Sequence, residues 1–202
     1  MRVYYRPQSG RPVRVAWLLE EVGEPYEPAR VTTEEVKEPA HLARYPLGRV
    51  PVLEANGEVL FESTAICLHL ADQHADAQLI GPLGSPERAL VYQWALFAMT
   101  ELEPVVLEVL RHSQTDPERA AAGAERFAAA AAVIERELDG QAFLVGDRLT
   151  VADIVTGGVL GLAARRTSLT GDWPHITAYV ERLTARPAFQ RAAGATESSL
   201  AS

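Results

Sequence analysis

Two short segments carry residue types whose arrangement suits binding of a charged, extended ligand. The first is Glu62-Ser63, which stands at the start of a helical run over 63–74. Serine is a good N-cap. The first helical turn has free N–H groups and the positive end of the helix dipole, which suits a carboxylate. Glu62 stands where it can accept hydrogen bonds from an ammonium group. A ligand with both charges on one α-carbon would be held by this pair. The ordinary alternative is a plain cap beside a solvated glutamate. The second segment is Val50-Pro51. A proline that opens a strand has no N–H to give to the ladder. A cis Val50-Pro51 bond would turn the chain and leave the Val50 backbone groups free to pair with an extended ligand. Only about 5–6% of X-Pro bonds in folded proteins are cis, so a trans proline at a strand start is the ordinary alternative here.

The elements around these segments follow from apolar patterning and turn chemistry. Arg2 to Tyr5 and Tyr26 to Val31 read as strands, with a helix over Val13 to Val22 between them that Gly23 stops. A helical crossover makes these two strands parallel. Glu38 to Tyr45 is a short helix or irregular turn. Two apolar runs, 51–54 and 59–61, flank Asn56-Gly57, the strongest short hairpin signal. The order β-α-β, loop, β-β, α predicts a small α/β domain over residues 1–77. Gly81, Pro82, Gly84 and Ser85 mark a linker over 78–85. Strand signals then vanish, and residues 86–202 read as an all-helical domain. Its first helix, 86–112, contains Pro104 and should bend there. Helices follow over 117–138, 150–165, 174–184 and 187–193, with a frayed tail from Thr196.

Bulk properties exclude several classes. The chain has 202 residues, 48% of them hydrophobic, and a net charge of −8. That length supports one large core or two small ones. Both halves are mildly acidic, so the clustered cations that sequence-independent nucleic-acid binding needs are missing. No apolar signal region or membrane-length run is evident, and a cytoplasmic protein is expected. Cys67 is the single cysteine, which excludes an internal disulfide and a multi-cysteine zinc site. No metal is implied. Lys37 is the one lysine among 19 basic residues; with the abundant alanine, this suggests a GC-rich bacterial genome.

Three further features are mainly structural in character. Thr150 as N-cap with Asp153 at the third helical position forms a capping box in which Asp replaces the usual Glu, with Leu149 and Ile154 placed to staple it. Cys67 lies inside an apolar helical pattern and reads as a small buried hydrophobe rather than a redox group. Trp94, Phe97, Met99 and Leu102 either line a pocket or pack the helical core.

The combination of motifs resembles the glutathione transferase superfamily across nearly the whole chain. Tyr4-Tyr5-Arg6-Pro7 followed by Arg14 to Glu21 looks like its first strand and helix. Tyr45-Pro46-Leu47-Gly48-Arg49-Val50-Pro51-Val52-Leu53 looks like its cis-proline segment, with Tyr45 where an asparagine is expected. Glu62-Ser63-Thr64-Ala65-Ile66 looks like its γ-glutamyl motif, and Gly146 to Asp153 like its folding motif in the helical domain. The resemblance implies a thioredoxin-like N-terminal domain (βαβ-ββα) and an all-α helical-bundle C-terminal domain.

The resemblance also implies glutathione as co-substrate, held by Val50 and Pro51 at its cysteinyl part, by Glu62 and Ser63 at its γ-glutamyl part, and by Arg49, with His41 added, at its glycyl carboxylate. For His41 the alternative is a surface histidine on a short helix. The family activates the glutathione thiol with a residue just after the first strand. Ser9 is the only hydroxyl in Pro7 to Pro12, so Ser9 is the expected catalytic residue, with Tyr4, Tyr5 and Arg11 as alternatives. Gly10 stands about where some bacterial classes have a catalytic cysteine. The implied activity is thiol conjugation of a small electrophile, serving detoxification, in a homodimer. The rivals are a non-catalytic glutathione-binding or regulatory protein and a specialised glutathione-dependent isomerase, dehalogenase or peroxidase that takes a substrate such as a hydroperoxide.

Overall fold

A computed structural model describes residues 1–197 and divides the chain into two compact units: Met1–Leu79 together with the segment from Ala185 onward, and Ile80–Thr184. The first unit holds β1 (Arg2–Tyr5), α1 (Gly10–Val22), β2 (Glu27–Arg30), a 3₁₀ turn (Glu35–Lys37), α2 (Pro39–Leu42), β3 (Val52–Ala55), β4 (Glu58–Phe61) and α3 (Ser63–Gln73). The strand order is β2-β1-β3-β4. β1 and β2 run parallel with Val3 opposite Pro28, as the crossover through α1 requires. β3 is antiparallel to both β1 and β4. Asn56 and Gly57 both have positive φ, 53° and 83°, the geometry of the type I′ turn that Asn-Gly favours. This is the expected thioredoxin-like βαβ-ββα arrangement.

α1 starts three residues earlier than its apolar pattern predicts. Gly10, Arg11 and Pro12 form its first turn, where a missing proline N–H costs nothing. Ser9 therefore stands at the helix N-cap rather than in a free loop. Val13, Val15, Ala16, Leu18 and Leu19 are fully buried, and α1 packs against α3 on one side.

The final helix, α9 (Pro187–Ala195), groups with this first unit and not with the helices that precede it. The second unit ends at Thr184. The cause is an interface with α1 that the sequence pattern does not announce. Trp17 meets Phe189 edge-on at 5.2 Å. Arg186 forks onto Glu21 with two bonds, Nε to Oε1 at 2.6 Å and Nη2 to Oε2 at 2.8 Å, and Arg191 reaches Glu20 at 2.6 Å. Of the tail expected to fray, residues 198–202 lie outside the described residues.

The second unit contains α4 (Pro86–Phe97), α5 (Glu103–His112), α6 (Pro117–Glu137), α7 (Val151–Arg166) and α8 (Pro174–Thr184). A π-helical turn, Ala98–Leu102, separates α4 from α5, and Pro104 falls in the first turn of α5, where a missing N–H costs nothing. α7 is apolar all round and buried along almost its whole length, as a central helix must be. It packs against α4, α5 and α8. Among the described residues no helix is long and apolar enough to cross a membrane.

Candidate functional site

The sheet register brings three chain segments to one end of the first unit. Tyr4 pairs with Val52, and Val52 pairs with Phe61. The chain after β1, the chain before β3 and the chain after β4 therefore all emerge at the same end of the strands. These are the segments that carry Ser9, Arg49-Val50-Pro51 and Glu62-Ser63.

The Val50-Pro51 peptide bond is cis. The β1–β3 ladder begins only at Val52, so the Val50 backbone stands outside it. The Val50 side chain is buried with Tyr4, Val36, Tyr45 and Val52, while Arg49 is exposed. His41 is buried, not on the surface, and its Nε2 donates to the Arg49 carbonyl at 2.9 Å. Its Nδ1 has no hydrogen-bond partner among the described residues. His41 thus braces the backbone that leads into the cis proline. The turn before it needs Gly48: φ is +60°, and a Cβ there would lie 2.6 Å from the Val36 carbonyl oxygen.

At the third segment the cap lies one residue earlier than the sequence suggests. Glu62, not Ser63, is the N-cap of α3. Its carbonyl accepts the first helical bond, from Ile66 N–H at 3.0 Å. Glu62 has φ +72° and ψ 109°, a region costly for a side-chain-bearing residue and frequent at ligand sites. Its side chain makes no capping bond; it accepts instead from the Tyr45 hydroxyl. Ser63, the first helical residue, is buried, and Nη1 of the buried Arg14 lies 3.5 Å from its hydroxyl. Burial, and then the hydrogen bond to Glu62, push the Tyr45 hydroxyl above its usual range, while the charges of Arg49 and Arg11 pull it back. Tyr45 and Arg14 both lie inside motif segments of the sequence, but the sequence assigns neither a role at this site.

The chain after β1 contains the candidate thiol activators. Tyr4 and Tyr5 point to different partners, as strand alternation requires. The Tyr4 hydroxyl donates to Glu54 at 2.8 Å, and Arg44 lies over its ring at 4.7 Å while bonding the same carboxylate. The Tyr5 hydroxyl donates to Glu197 at 2.9 Å; burial and then Glu197 raise its pKa. Both phenols are committed to carboxylates. Ser9 is half-exposed at the N-terminus of α1, and its side chain makes no capping bond.

Asp153 is fully buried. Its Oδ2 accepts from the Thr150 N–H and hydroxyl at 2.8 and 3.0 Å, and its Oδ1 from Leu144 N–H and the Tyr179 hydroxyl, both at 2.9 Å. Burial pushes its carboxyl pKa up, and these four donors pull against that rise. Trp94 and Leu102 are core residues, while Phe97 and Met99 are half-exposed. Phe97 lines a cavity of about 430 Å³ with Thr100, Glu101, Pro104, Arg126 and Val133. Cys67, in the first unit, is fully buried and its thiol is pushed up to about 12 by burial. Among the described residues no cluster of potential metal ligands is present.

Residues 1–72 match the family described as "Glutathione S-transferase, N-terminal domain", and residues 97–187 match "Glutathione S-transferase, C-terminal domain". The chain belongs to the glutathione S-transferase superfamily. It is 31% identical over 205 residues to glutathione S-transferase 1 of Zea mays, covering 96% of this chain and 95% of that one. The crystal structure of glutathione transferase F7 from Populus trichocarpa superimposes with a TM-score of 0.87 at 25% identity, covering 96% and 98% of the two chains. A sphingomonad glutathione S-transferase complexed with glutathione gives a TM-score of 0.84 at 28% identity, covering 97% and 98%.

Proposed function

We propose that this glutathione transferase binds glutathione at one end of the sheet of its first unit and ionises the glutathione thiol with the Ser9 hydroxyl, for attack on a small electrophile. The observation that carries this reading is the register Tyr4–Val52–Phe61, which brings the segments of Ser9, Val50-Pro51 and Glu62-Ser63 to one end of the sheet. Glu62 receives the α-ammonium of the γ-glutamyl group. Ser63, at the N-terminus of α3, receives its α-carboxylate. The Val50 backbone pairs with the cysteinyl unit, and exposed Arg49 meets the glycyl carboxylate, with His41 fixing the Arg49 backbone.

An unperturbed thiol titrates near about 8.5, so little thiolate is present at neutral pH. A hydroxyl donating to the sulfur, beside the positive end of α1, favours the thiolate. Ser9 suits this role because Tyr4 and Tyr5 already donate elsewhere. The thiol proton leaves to solvent. The sulfur then forms a bond to an electrophilic carbon, whose leaving group departs with the bonding electron pair.

The same reading expects a cytoplasmic enzyme of bacterial type that works in detoxification, and a homodimer. Exposed Leu47 and Phe61 on the first unit and Leu90 and Leu96 on the second are apolar surface of the kind that pairing covers. Light scattering at micromolar concentration tests the dimer. Turnover with glutathione and an aromatic halide, alongside a hydroperoxide, tests the activity. Conjugation that falls about a hundredfold in Ser9→Ala, a typical loss for a group that stabilises developing charge, supports the reading. A Ser9→Ala variant with full rate removes Ser9 from it.

A further inference from the structure

We propose that Tyr45 is a positioning residue for the γ-glutamyl ammonium, acting through the Glu62 carboxylate; this rests on the glutathione reading above. The Tyr45 hydroxyl donates to Oε1 of Glu62. A carboxylate has two oxygens, and this bond engages one and leaves Oε2 for an incoming cation.

The donor is rigid where the acceptor is not. Glu62 is exposed, and its side chain makes no capping bond, so its rotamers are otherwise open to solvent. Tyr45 is only 3% exposed and belongs to the buried cluster with Tyr4, Val36, Val50 and Val52. Its ring stacks on Phe61, centroids 4.5 Å apart and planes at 21°. Its backbone is pinned at both ends, from Tyr45 N–H to the His41 carbonyl and from Gly48 N–H to the Tyr45 carbonyl, each at 2.9 Å. The phenol therefore carries the order of the core out to a surface carboxylate. It also joins two parts of the site, because Tyr45 lies on the segment that leads into Val50-Pro51 and Glu62 opens α3. The hydroxyl remains a donor at any working pH, since burial and Glu62 hold its pKa above the usual tyrosine value.

Fixing the carboxylate in advance lowers the ordering cost of binding. The benefit falls only on ligands that present an ammonium to Glu62. Tyr45 thus sets a preference for the intact γ-glutamyl α-amino group over an otherwise identical tripeptide without it.

The test is Tyr45→Phe, which keeps the stacked ring and removes the hydroxyl. Calorimetric Kd and steady-state kinetics are measured for glutathione and for its analogue lacking the α-amino group. The expected result is a rise of roughly tenfold in Kd and KM for glutathione, the scale of a lost bond to a charged group, with kcat at saturation within about twofold. The analogue should bind wild type and variant equally, and in a Glu62→Gln background Tyr45→Phe should add nothing further. Equal weakening of both ligands, or of neither, overturns the proposal. A wild-type protein that binds neither ligand instead removes the glutathione reading itself. Should Tyr45→Phe melt below the assay temperature, Tyr45→Met, a flexible apolar filler, must give the same selective loss.

Discussion

The Tyr179 hydroxyl donates to Oδ1 of Asp153 at 2.9 Å, fully buried and across 26 residues of chain. The capping box at Thr150 is therefore more than a local helix start. Asp153 ties the N-terminus of α7 to α8 through Tyr179 and to the preceding turn through Leu144 N–H. Asp153→Ala leaves four donors without their acceptor, and an abandoned buried donor costs about 1–3 kcal/mol. The expected loss is about 3 kcal/mol or more, which lowers the melting temperature by roughly 6–12 °C in a chain of this length. Tyr179→Phe removes one bond and should cost about 1 kcal/mol. Calorimetric melting of both variants checks the order of these effects.

Acid should weaken the first unit through Glu54. Burial alone would raise this carboxyl, but the hydrogen bonds from Arg44 and Tyr4 and the nearby cations hold it below the ordinary carboxylate range. A carboxylate with a depressed folded-state pKa adds stability above its unfolded value and loses that stability as pH falls through the folded value. Wild type should therefore exceed Glu54→Gln in urea midpoint above about pH 5, with the gap closing below about pH 4. A gap that persists at low pH would show that the carboxylate's charge is not the cause.

Much of this was legible in the sequence, and the exceptions share a cause. Asn56-Gly57, the helical crossover and the Thr150–Asp153 box are local, and each fixes its own geometry through turn or cap chemistry. α1 starts earlier than its apolar pattern indicates because a proline in a first turn resembles a helix breaker. The cap of α3 shifted from Ser63 to Glu62 because a positive φ at a glutamate has no compositional sign. The attachment of α9 to α1 depends on Trp17, Phe189 and the Arg186–Glu21 fork, which are more than 160 residues apart. The Tyr45–Glu62 bond likewise depends on tertiary pairing, because the β3–β4 hairpin lies between the two residues in the chain.

Gly48 should resist substitution. Gly48→Ala meets a left-handed backbone and a carbonyl oxygen 2.6 Å from the new Cβ. Backbone must shift, and a loss of about 2 kcal/mol is expected. Gly48 N–H also holds the Tyr45 carbonyl, so the KM for glutathione should rise together with the loss in urea midpoint. An alanine variant with wild-type stability and KM would contradict the geometry of this turn.

Cys67 should be chemically silent in the folded protein. Its thiol is fully buried and pushed up to about 12, so thiolate is scarce at neutral pH. Iodoacetamide at about pH 8 should leave the native chain unmodified by mass spectrometry and add one group in denaturant. Rapid modification of the native chain would show that α3 opens in solution.

On the proposed function, glutathione binds at this site and Ser9 ionises its thiol. Thiolate absorbance in the far ultraviolet, titrated against pH with bound glutathione, measures this directly. The wild type should show a thiolate that titrates at least one unit below the free value of about 8.5, and Ser9→Ala should return it close to that value while still binding glutathione. Failure of the wild type to bind glutathione, or the same thiol titration in both proteins, would contradict the account.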